Sequence, residues 1–189
     1  MEENSREEKR CFWVNLKNPL SIRYHDTEWG VPQHSDQKLF EMLILECFQA
    51  GLSWECIQNK REKFRKAFDD FDPEKISRYD EEKISALLAD PGIVRSRQKI
   101  EAAIADSHVF LEIQKEFGSF DRYLWGFTDG QVRFESCGMR STSPLSDAIS
   151  RDLKKRGMKY AGSTTVYAYL QAVGVLNAHT KECFCYRGV

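Results

Sequence analysis

The sequence predicts an all-α protein. Apolar residues recur three and four positions apart in successive stretches of the chain, and this is the period of an amphipathic helix. Glycine and proline signals separate these stretches, and no two alternating runs indicate a pair of β-strands. A packed core is compatible with the composition, because 41% of the 189 residues are hydrophobic and 30% are charged.

We expect a charged leader over residues 1–10 and a single helical domain over residues 11–189. The leader has no signal-peptide pattern, and no apolar run approaches the roughly 20 residues of a membrane helix. We therefore expect a cytoplasmic protein with no membrane partner, whose six cysteines are thiols or metal ligands rather than disulfides. The formal net charge of -1 does not suggest a nucleic-acid partner, so only local basic clusters can indicate one.

The predicted elements follow one another with short connections. The chain should run through an irregular segment over 11–32, a helix from Ser35 or Asp36 to Gly51, a helix from Trp54 to about Phe68, a cap and first helical position at Asp72 and Pro73, a helical hairpin over 81–105, a helix over 108–125, a polar loop over 128–144, and helices over 145–157 and 164–175.

The helix that ends at Gly51 carries an acid on its apolar face. Glu46 follows Leu39, Met42 and Leu43 at helical spacing, and a buried carboxylate must be paired, protonated or matched by a cationic ligand. Trp13, Tyr24 and Trp54 are rings that can line a pocket with Glu46; rings and a carboxylate favour a flat cationic ligand. The alternative is that the rings are plain core and that Glu46 is paired with an arginine.

Two pairs of residues near the chain ends have the chemistry of a metal site. Cys11 and His25 lie near the start, and His179 and Cys183 lie near the end, so together they offer the Cys2His2 set of a closed tetrahedral zinc site. A single helical turn would place His179 and Cys183 on one face. Spacing alone leaves open that the four are unrelated, or that Cys185 replaces Cys183.

The predicted hairpin combines a tight turn with basic residues. Gly92 lies in the turn, and Arg95, Arg97 and Lys99 follow at the start of the second helix. A helix N-terminus with nearby cations is a phosphate-binding arrangement. Further basic clusters at 60–66 and 154–159 can position a phosphate backbone without reading sequence, although each is also compatible with a solvated helix face.

Several longer strings resemble one known family. YHDTEWGVP (24–32), LFEMLILE and QAGLSW (39–54), PGIVRSRQKI (91–100), LKKRGMKYAGSTT (153–165) and HTKECFCY (179–186) are similar to the 3-methyladenine DNA glycosylase I family of bacteria, within the helix-hairpin-helix glycosylase superfamily. The resemblance implies a monomeric enzyme that flips and excises 3-methyladenine from alkylated double-stranded DNA, without lyase activity.

The resemblance also implies roles for individual residues. Cys11, His25, His179 and Cys183 match the ligands of one structural zinc ion per chain. Glu46 matches the acid that contacts the methylated base, and Trp13, Tyr24 and Trp54 match the aromatic pocket. The hairpin matches the DNA-backbone anchor, which includes Gly92, Arg95, Arg97 and Lys99, while Leu52 is expected to fill part of the gap left by the flipped base. Cys47 and Phe48 depart from the family pattern beside Glu46.

Neither Asp106 nor Asp121 is assigned as the aspartate that steadies the sugar in many enzymes of this superfamily. Two other classes of function remain open. One is a non-catalytic zinc protein that binds DNA through its hairpin. The other is a structural helical protein with a satisfied core glutamate.

Overall fold

The computed structural model describes residues 9–135 and 140–187. The described elements are α1 (Pro19–Thr27), α2 (Asp36–Gln49), α3 (Trp54–Ala67), a 3-10 turn (Asp69–Phe71), α4 (Pro73–Ile76), α5 (Glu81–Ala89), α6 (Arg97–Phe117), α7 (Phe120–Gly126), β1 (Arg133–Phe134), α8 (Pro144–Lys155), α9 (Ser163–Ala172) and β2 (Leu176–Asn177). The predicted leader falls largely on residues 1–8, and part of the predicted polar loop falls on residues 136–139; both lie outside the described residues.

The predominantly helical architecture is confirmed, and local signals explain where helices begin. Asp72 caps α4 by accepting hydrogen bonds from the backbone of Glu74 and Lys75, and Pro73 occupies the first helical position. Ser143 forms a capping box at the start of α8. One hydrophobic cluster extends from Cys11 to Cys183. The single domain over residues 11–189 remains a prediction.

Helix α1 corrects the prediction that residues 11–32 are irregular throughout. Asn18 caps this helix by accepting a hydrogen bond from the backbone of Leu20, and Pro19 occupies the first turn. The helix has too few apolar residues at helical spacing to be detected by its period. Its start signal, an Asn-Pro pair, is nonetheless present in the sequence.

Two further predictions about elements were wrong. Residues 97–117 form one continuous helix rather than two, because the polar pair at its centre is satisfied in place: Asp106 accepts from the backbone of Lys159 and Ser107 donates to the carbonyl of Ile104. A pair of parallel strands is also present, with Arg133 opposite Leu176. Strands of two residues are too short to leave an alternating pattern.

Helix α2 occupies the centre of the molecule. It contacts α3, α6, α7 and α9, and every residue from Leu39 to Phe48 is buried. The sequence predicted a single buried face, but a helix surrounded by other helices is buried on all sides. Among the described residues, no helix is both long enough and apolar enough to span a bilayer.

Candidate active site and metal centre

A ring-lined cavity lies beside the C-terminal half of α2. It has a volume of about 160 Å3 and brings together the four residues that the sequence grouped as a pocket: Trp13, Tyr24, Glu46 and Trp54. The ring centres of Tyr24 and Trp54 are 5.3 Å apart, at an interplanar angle of 48°. The cavity is small for a binding pocket, so it suits a single small ring better than an extended ligand.

Four other lining residues were not predicted. They are Trp29, Gln49, Ala168 and Gln171. Trp29 packs against Trp13 with ring centres 4.9 Å apart. The two α9 residues carried no usable signal, because only the packing of α9 on α2 brings them to the cavity.

Glu46 is a buried acid without a protein partner. Its side chain is 4% exposed, and no described residue forms an ion pair or a side-chain hydrogen bond with it. Burial raises the pKa of Glu46 to about 8, because the ionised form loses its hydration. The group is therefore mainly neutral near pH 7 until a cation enters the cavity.

The arginines near α2 form ion pairs with a different glutamate, Glu41, and not with Glu46. Glu41 lies on the same helix and accepts from Arg61 at 2.7 Å and from Arg65 at 2.7 Å, while Lys38 adds a contact at 3.2 Å. These cations lower the pKa of Glu41 despite the opposing effect of burial. The helix thus carries two buried carboxylates, of which Glu41 is compensated and Glu46 is not, and of these two only Glu46 lines the cavity.

Two indole N–H groups of the pocket are also unsatisfied. In the described part of the chain, the Nε1 atoms of Trp13 and Trp54 are buried without a hydrogen-bond acceptor. A buried donor left unpaired costs roughly 1–3 kcal/mol. Such groups at a cavity wall are expected where a ligand supplies the missing acceptors.

The unusual state of Glu46 predicts a pH-dependent stability. Because its pKa is raised in the folded protein, the unfolded chain loses the proton first as pH rises from about 4.5 to about 8. Stability should therefore fall over this range. Glu46→Gln should remove that loss, so that its advantage over the wild type grows from about 1 kcal/mol at pH 5 to at most about 5 kcal/mol above pH 8.

Denaturant unfolding at pH 5, 7 and 8.5 measures this difference. Glu112→Gln is a matched control, because Glu112 is an exposed glutamate on α6. A difference between Glu46→Gln and the wild type that does not change with pH would contradict the assignment of a neutral, buried acid.

The four predicted metal ligands converge beside the ring-lined cavity, where the ring of His25 lies 5.4 Å from that of Trp13 and the ring of His179 lies 4.6 Å from that of Trp29. Cys11, His25, His179 and Cys183 are all buried, and their ligand atoms lie within 4.8 Å of one another. The Sγ of Cys183 is 3.3 Å from Nε2 of His25 and 3.5 Å from Nδ1 of His179, and the Sγ of Cys11 is also 3.5 Å from that Nδ1. In a tetrahedral zinc site the sulfur-to-nitrogen separation is about 3.6 Å, so the residues fit this ion.

Hydrogen bonds to groups other than the four ligands orient both histidine rings, so that one nitrogen of each ring points toward the cysteines. The Nδ1 of His25 is 2.8 Å from the Asp26 carboxylate, and the Nε2 of His179 is 3.2 Å from the carbonyl of Trp29. Each acceptor requires the proton on that nitrogen, so the other nitrogen of each ring is available to a metal. Burial lowers the pKa of His179 to about 4, which also keeps its ring neutral and able to bind a metal.

His179 and Cys183 reach the metal-ligand cluster from a turn and not from a helix. His179 and Cys183 are joined by a turn in which the backbone of Cys183 donates to the carbonyl of Thr180, rather than by the helical turn considered from sequence. Cys185 lies outside the four-residue group, and its backbone N–H donates to the sulfur of Cys183. Of the two candidate cysteines, Cys183 is therefore the one placed to complete the set.

A larger cavity of about 430 Å3 borders the metal centre. Its lining includes the carboxylate of Asp26, which already accepts from Arg10 at 2.7 Å and is bonded to His25. The charge in this cavity is compensated, so it lacks the unpaired acid that distinguishes the smaller pocket.

Helices α5 and α6 flank the predicted turn, but Arg95 lies in the loop before α6 rather than at the start of the helix, and most of the cations nearby are paired. Arg97 forms ion pairs with Glu81 at 2.6 Å and with Glu101 at 3.4 Å, and Lys99 donates to backbone carbonyls of α2. Arg95 is exposed, and no described residue forms an ion pair with it. The N-terminus of α6 has no side-chain cap and no acidic residue in its first turn, so it remains electropositive.

Lysine side chains of α3 contact the turn between α5 and α6. The ammonium of Lys60 donates to the carbonyls of Pro91 and Gly92 at 3.0 and 3.3 Å. A Cβ at Gly92 would lie 2.8 Å from the Asp90 carboxylate and 2.9 Å from the side chain of Lys63, which explains the glycine. Leu52 projects from the turn after α2 and is 39% exposed.

Neither aspartate considered from sequence lines the ring-lined cavity. Asp106 is fully buried, and it accepts from the backbone of Lys159 at 2.6 Å. Asp121 lies on α7 and contacts His34 at 2.7 Å. Glu46 is thus the carboxylate that the described residues present to the cavity.

The fold and this site define a helical protein with a small ring-lined pocket that contains a buried acid, beside a buried cluster of two cysteines and two histidines. Comparison with known proteins gives the family. The sequence matches the methyladenine glycosylase family over residues 13–186. DNA-3-methyladenine glycosylase 1 of Escherichia coli (strain K12) is 42% identical over 184 residues, covering 95% of this chain and 98% of the relative.

Solved structures agree. A crystal structure of 3-methyladenine DNA glycosylase I superimposes with a TM-score of 0.90 at 43% identity and covers 94% of this chain and 100% of that chain. A structure of the Staphylococcus aureus enzyme, concerned with 3-methyladenine recognition, has a TM-score of 0.85 at 36% identity, with 88% and 91% covered. The chain therefore belongs to the methyladenine glycosylase family, whose enzymes hydrolyse N-glycosyl bonds.

Proposed function

We propose that this protein excises 3-methyladenine from alkylated double-stranded DNA by hydrolysing the N-glycosidic bond, with no lyase step. The observation that carries the proposal is the unpaired, buried carboxylate of Glu46 in a cavity walled by Trp13, Tyr24 and Trp54. A neutral adenine has no need of a carboxylate in this position. Methylation at N3 places positive charge on the base, which a buried acid and aromatic faces both favour.

In this proposal the base leaves the duplex to enter the pocket. The pocket residues are buried or half-buried, so a stacked base cannot reach Glu46 and the nucleotide must rotate out of the helix. Leu52 is an exposed apolar side chain two residues before Trp54, and in this proposal it fills part of the gap that the base leaves.

Bond cleavage needs little covalent assistance from the protein. Water attacks C1′ of the sugar and loses a proton to solvent, while the C1′–N9 electron pair returns to the base, so the positive charge of the base is neutralised as it departs. The cationic base lowers the pKa of Glu46 on binding, so the acid pairs with it as a carboxylate. Fixed electrostatics of this kind supply stabilisation without reorganisation of solvent.

The proposed DNA contacts lie on the hairpin. Gly92, Arg95 and Arg97 lie at the electropositive N-terminus of α6, where backbone N–H groups can bind a phosphate. Lys99, which the sequence grouped with them, donates instead to backbone carbonyls at the end of α2. The ion pairs of Arg97 are exposed, so they can be exchanged for a phosphate at small cost.

We further propose that one zinc ion per chain occupies the Cys2His2 centre, in a structural role. The donor set is closed, because four protein ligands leave no position for a substrate. That the protein acts as a monomer in the cytoplasm remains a prediction from the sequence.

Base release from methylated duplex DNA tests the proposed function. The wild-type protein should release 3-methyladenine, should leave 7-methylguanine largely in place, and should leave an abasic strand that breaks only on later heat or alkali treatment. Binding to the duplex without any base release would instead indicate a non-catalytic DNA-binding protein. Strand breakage during the reaction itself would overturn the monofunctional mechanism.

A further inference from the structure

The C-terminal end of helix α2 is bound by a lysine from another helix. The last turn of a helix leaves backbone carbonyls without partners, and a basic residue in that turn normally helps to satisfy them. The last turn of α2 contains no basic residue. The ammonium of Lys99 instead reaches across from α6 and donates to the carbonyls of Phe48 and Ala50 at 2.7 and 2.6 Å.

Lys99 lies where a lysine is unfavourable for its own helix. It is the third residue of α6, close to the positive end of the helix dipole, and the first turn there contains no acidic residue. Its contacts with the negative end of α2 offset that cost. Lys99 therefore stabilises the contact between α6 and the end of α2 rather than α6 itself.

The turn held by Lys99 connects the two walls of the pocket. Glu46 lies four residues before Ala50, and Trp54 begins α3 four residues after it. Between them Gly51 adopts a φ of 79°, and Leu52 and Gln49 exchange hydrogen bonds of 2.7 and 3.1 Å. A shift of this turn would move the acid, the ring and the exposed leucine relative to one another.

We propose that Lys99 is a positioning residue that locks the DNA-anchoring helix α6 onto the turn between Glu46 and Trp54. This inference rests on the proposed function and deepens it. DNA held at the N-terminus of α6 is thereby kept in register with Leu52 and with the base pocket. The role differs from a phosphate contact, because the ammonium already donates to two backbone carbonyls within the protein.

Three substitutions test the proposal. Lys99→Met removes the charge and keeps the length, Lys99→Arg keeps a cationic donor, and Lys115→Met removes an exposed lysine at the far end of the same helix. The measurements are kcat for base release at saturating methylated duplex, affinity for free 3-methyladenine by tryptophan fluorescence, the salt dependence of duplex binding, and Tm.

Lys99→Met should lower kcat and the affinity for free 3-methyladenine by about tenfold or more, with an unchanged salt dependence of DNA binding. Lys99→Arg should recover most of both losses, and Lys115→Met should resemble the wild type. Free-base binding does not require excision, so it tests the positioning role even if the wild type releases no base and the proposed function fails.

Two results would overturn the proposal. A Lys99→Met variant with normal kcat and normal free-base affinity, but with a salt slope reduced by about one, would make Lys99 a phosphate contact. A lower Tm with normal kcat and normal free-base affinity would make it a purely structural residue.

Discussion

Glu46→Gln should lower the rate of 3-methyladenine release by about 100-fold or more. The substitution preserves size and hydrogen-bonding capacity but removes the charge that can pair with a methylated, cationic base. Removing one preorganised electrostatic partner of a reaction centre typically costs about 100- to 1000-fold in rate. The fold should be retained, because Glu46 has no ion-pair partner in the described residues to be left uncompensated.

Single-turnover base release from methylated duplex measures this effect, and thermal unfolding checks the fold. Glu112→Gln is again the matched control, since it removes an exposed glutamate on α6. Release at the wild-type rate by a folded Glu46→Gln protein would remove Glu46 from the mechanism. If Glu46→Gln weakens binding of free 3-methyladenine by the same factor as it lowers the rate, Glu46 acts in recognition of the base. If the rate falls by a larger factor than the affinity, Glu46 also stabilises the departing base in the transition state.

Cys11→Ser should remove the bound metal and lower the free energy of unfolding by on the order of 5 kcal/mol. Structural zinc supplies roughly 10–16 kcal/mol to peptides that fold only with metal, and a chain with its own large core should depend on it less. For a protein of this size each kcal/mol corresponds to about 2–4 °C, so Tm should fall by roughly 10–20 °C. The centre ties the start of the chain to its end, and both segments should loosen.

Metal analysis of the purified protein should find about one zinc ion per chain, and chelator treatment should reproduce the Tm of Cys11→Ser. Cys56→Ser is the control, because this cysteine lies on α3 outside the ligand group. A metal-free protein that is as stable as the wild type would contradict the zinc proposal. Some loss of base binding should accompany metal loss, since His179 contacts the carbonyl of Trp29, which lines the pocket.

The sequence determined much of this protein because several of its signals are local. Helical periods, caps such as Asp72 and stops such as Gly51 depend on residues a few positions apart, so the helical class followed from them. An acid at a core position of α2 drew attention to Glu46 for the same reason. The resemblance then grouped Glu46 with its rings and the cysteines with the histidines, although these residues are distant in the chain.

Only the tertiary structure decided which charges are already compensated. Glu41 and Glu46 lie on one helix, yet the first is paired with Arg61 and Arg65 while the second faces a cavity. Lys99 looks like a surface cation in sequence, but its ammonium lies on the end of α2. The physical reason is that burial and charge pairing depend on long-range packing, which a period of three or four residues does not encode.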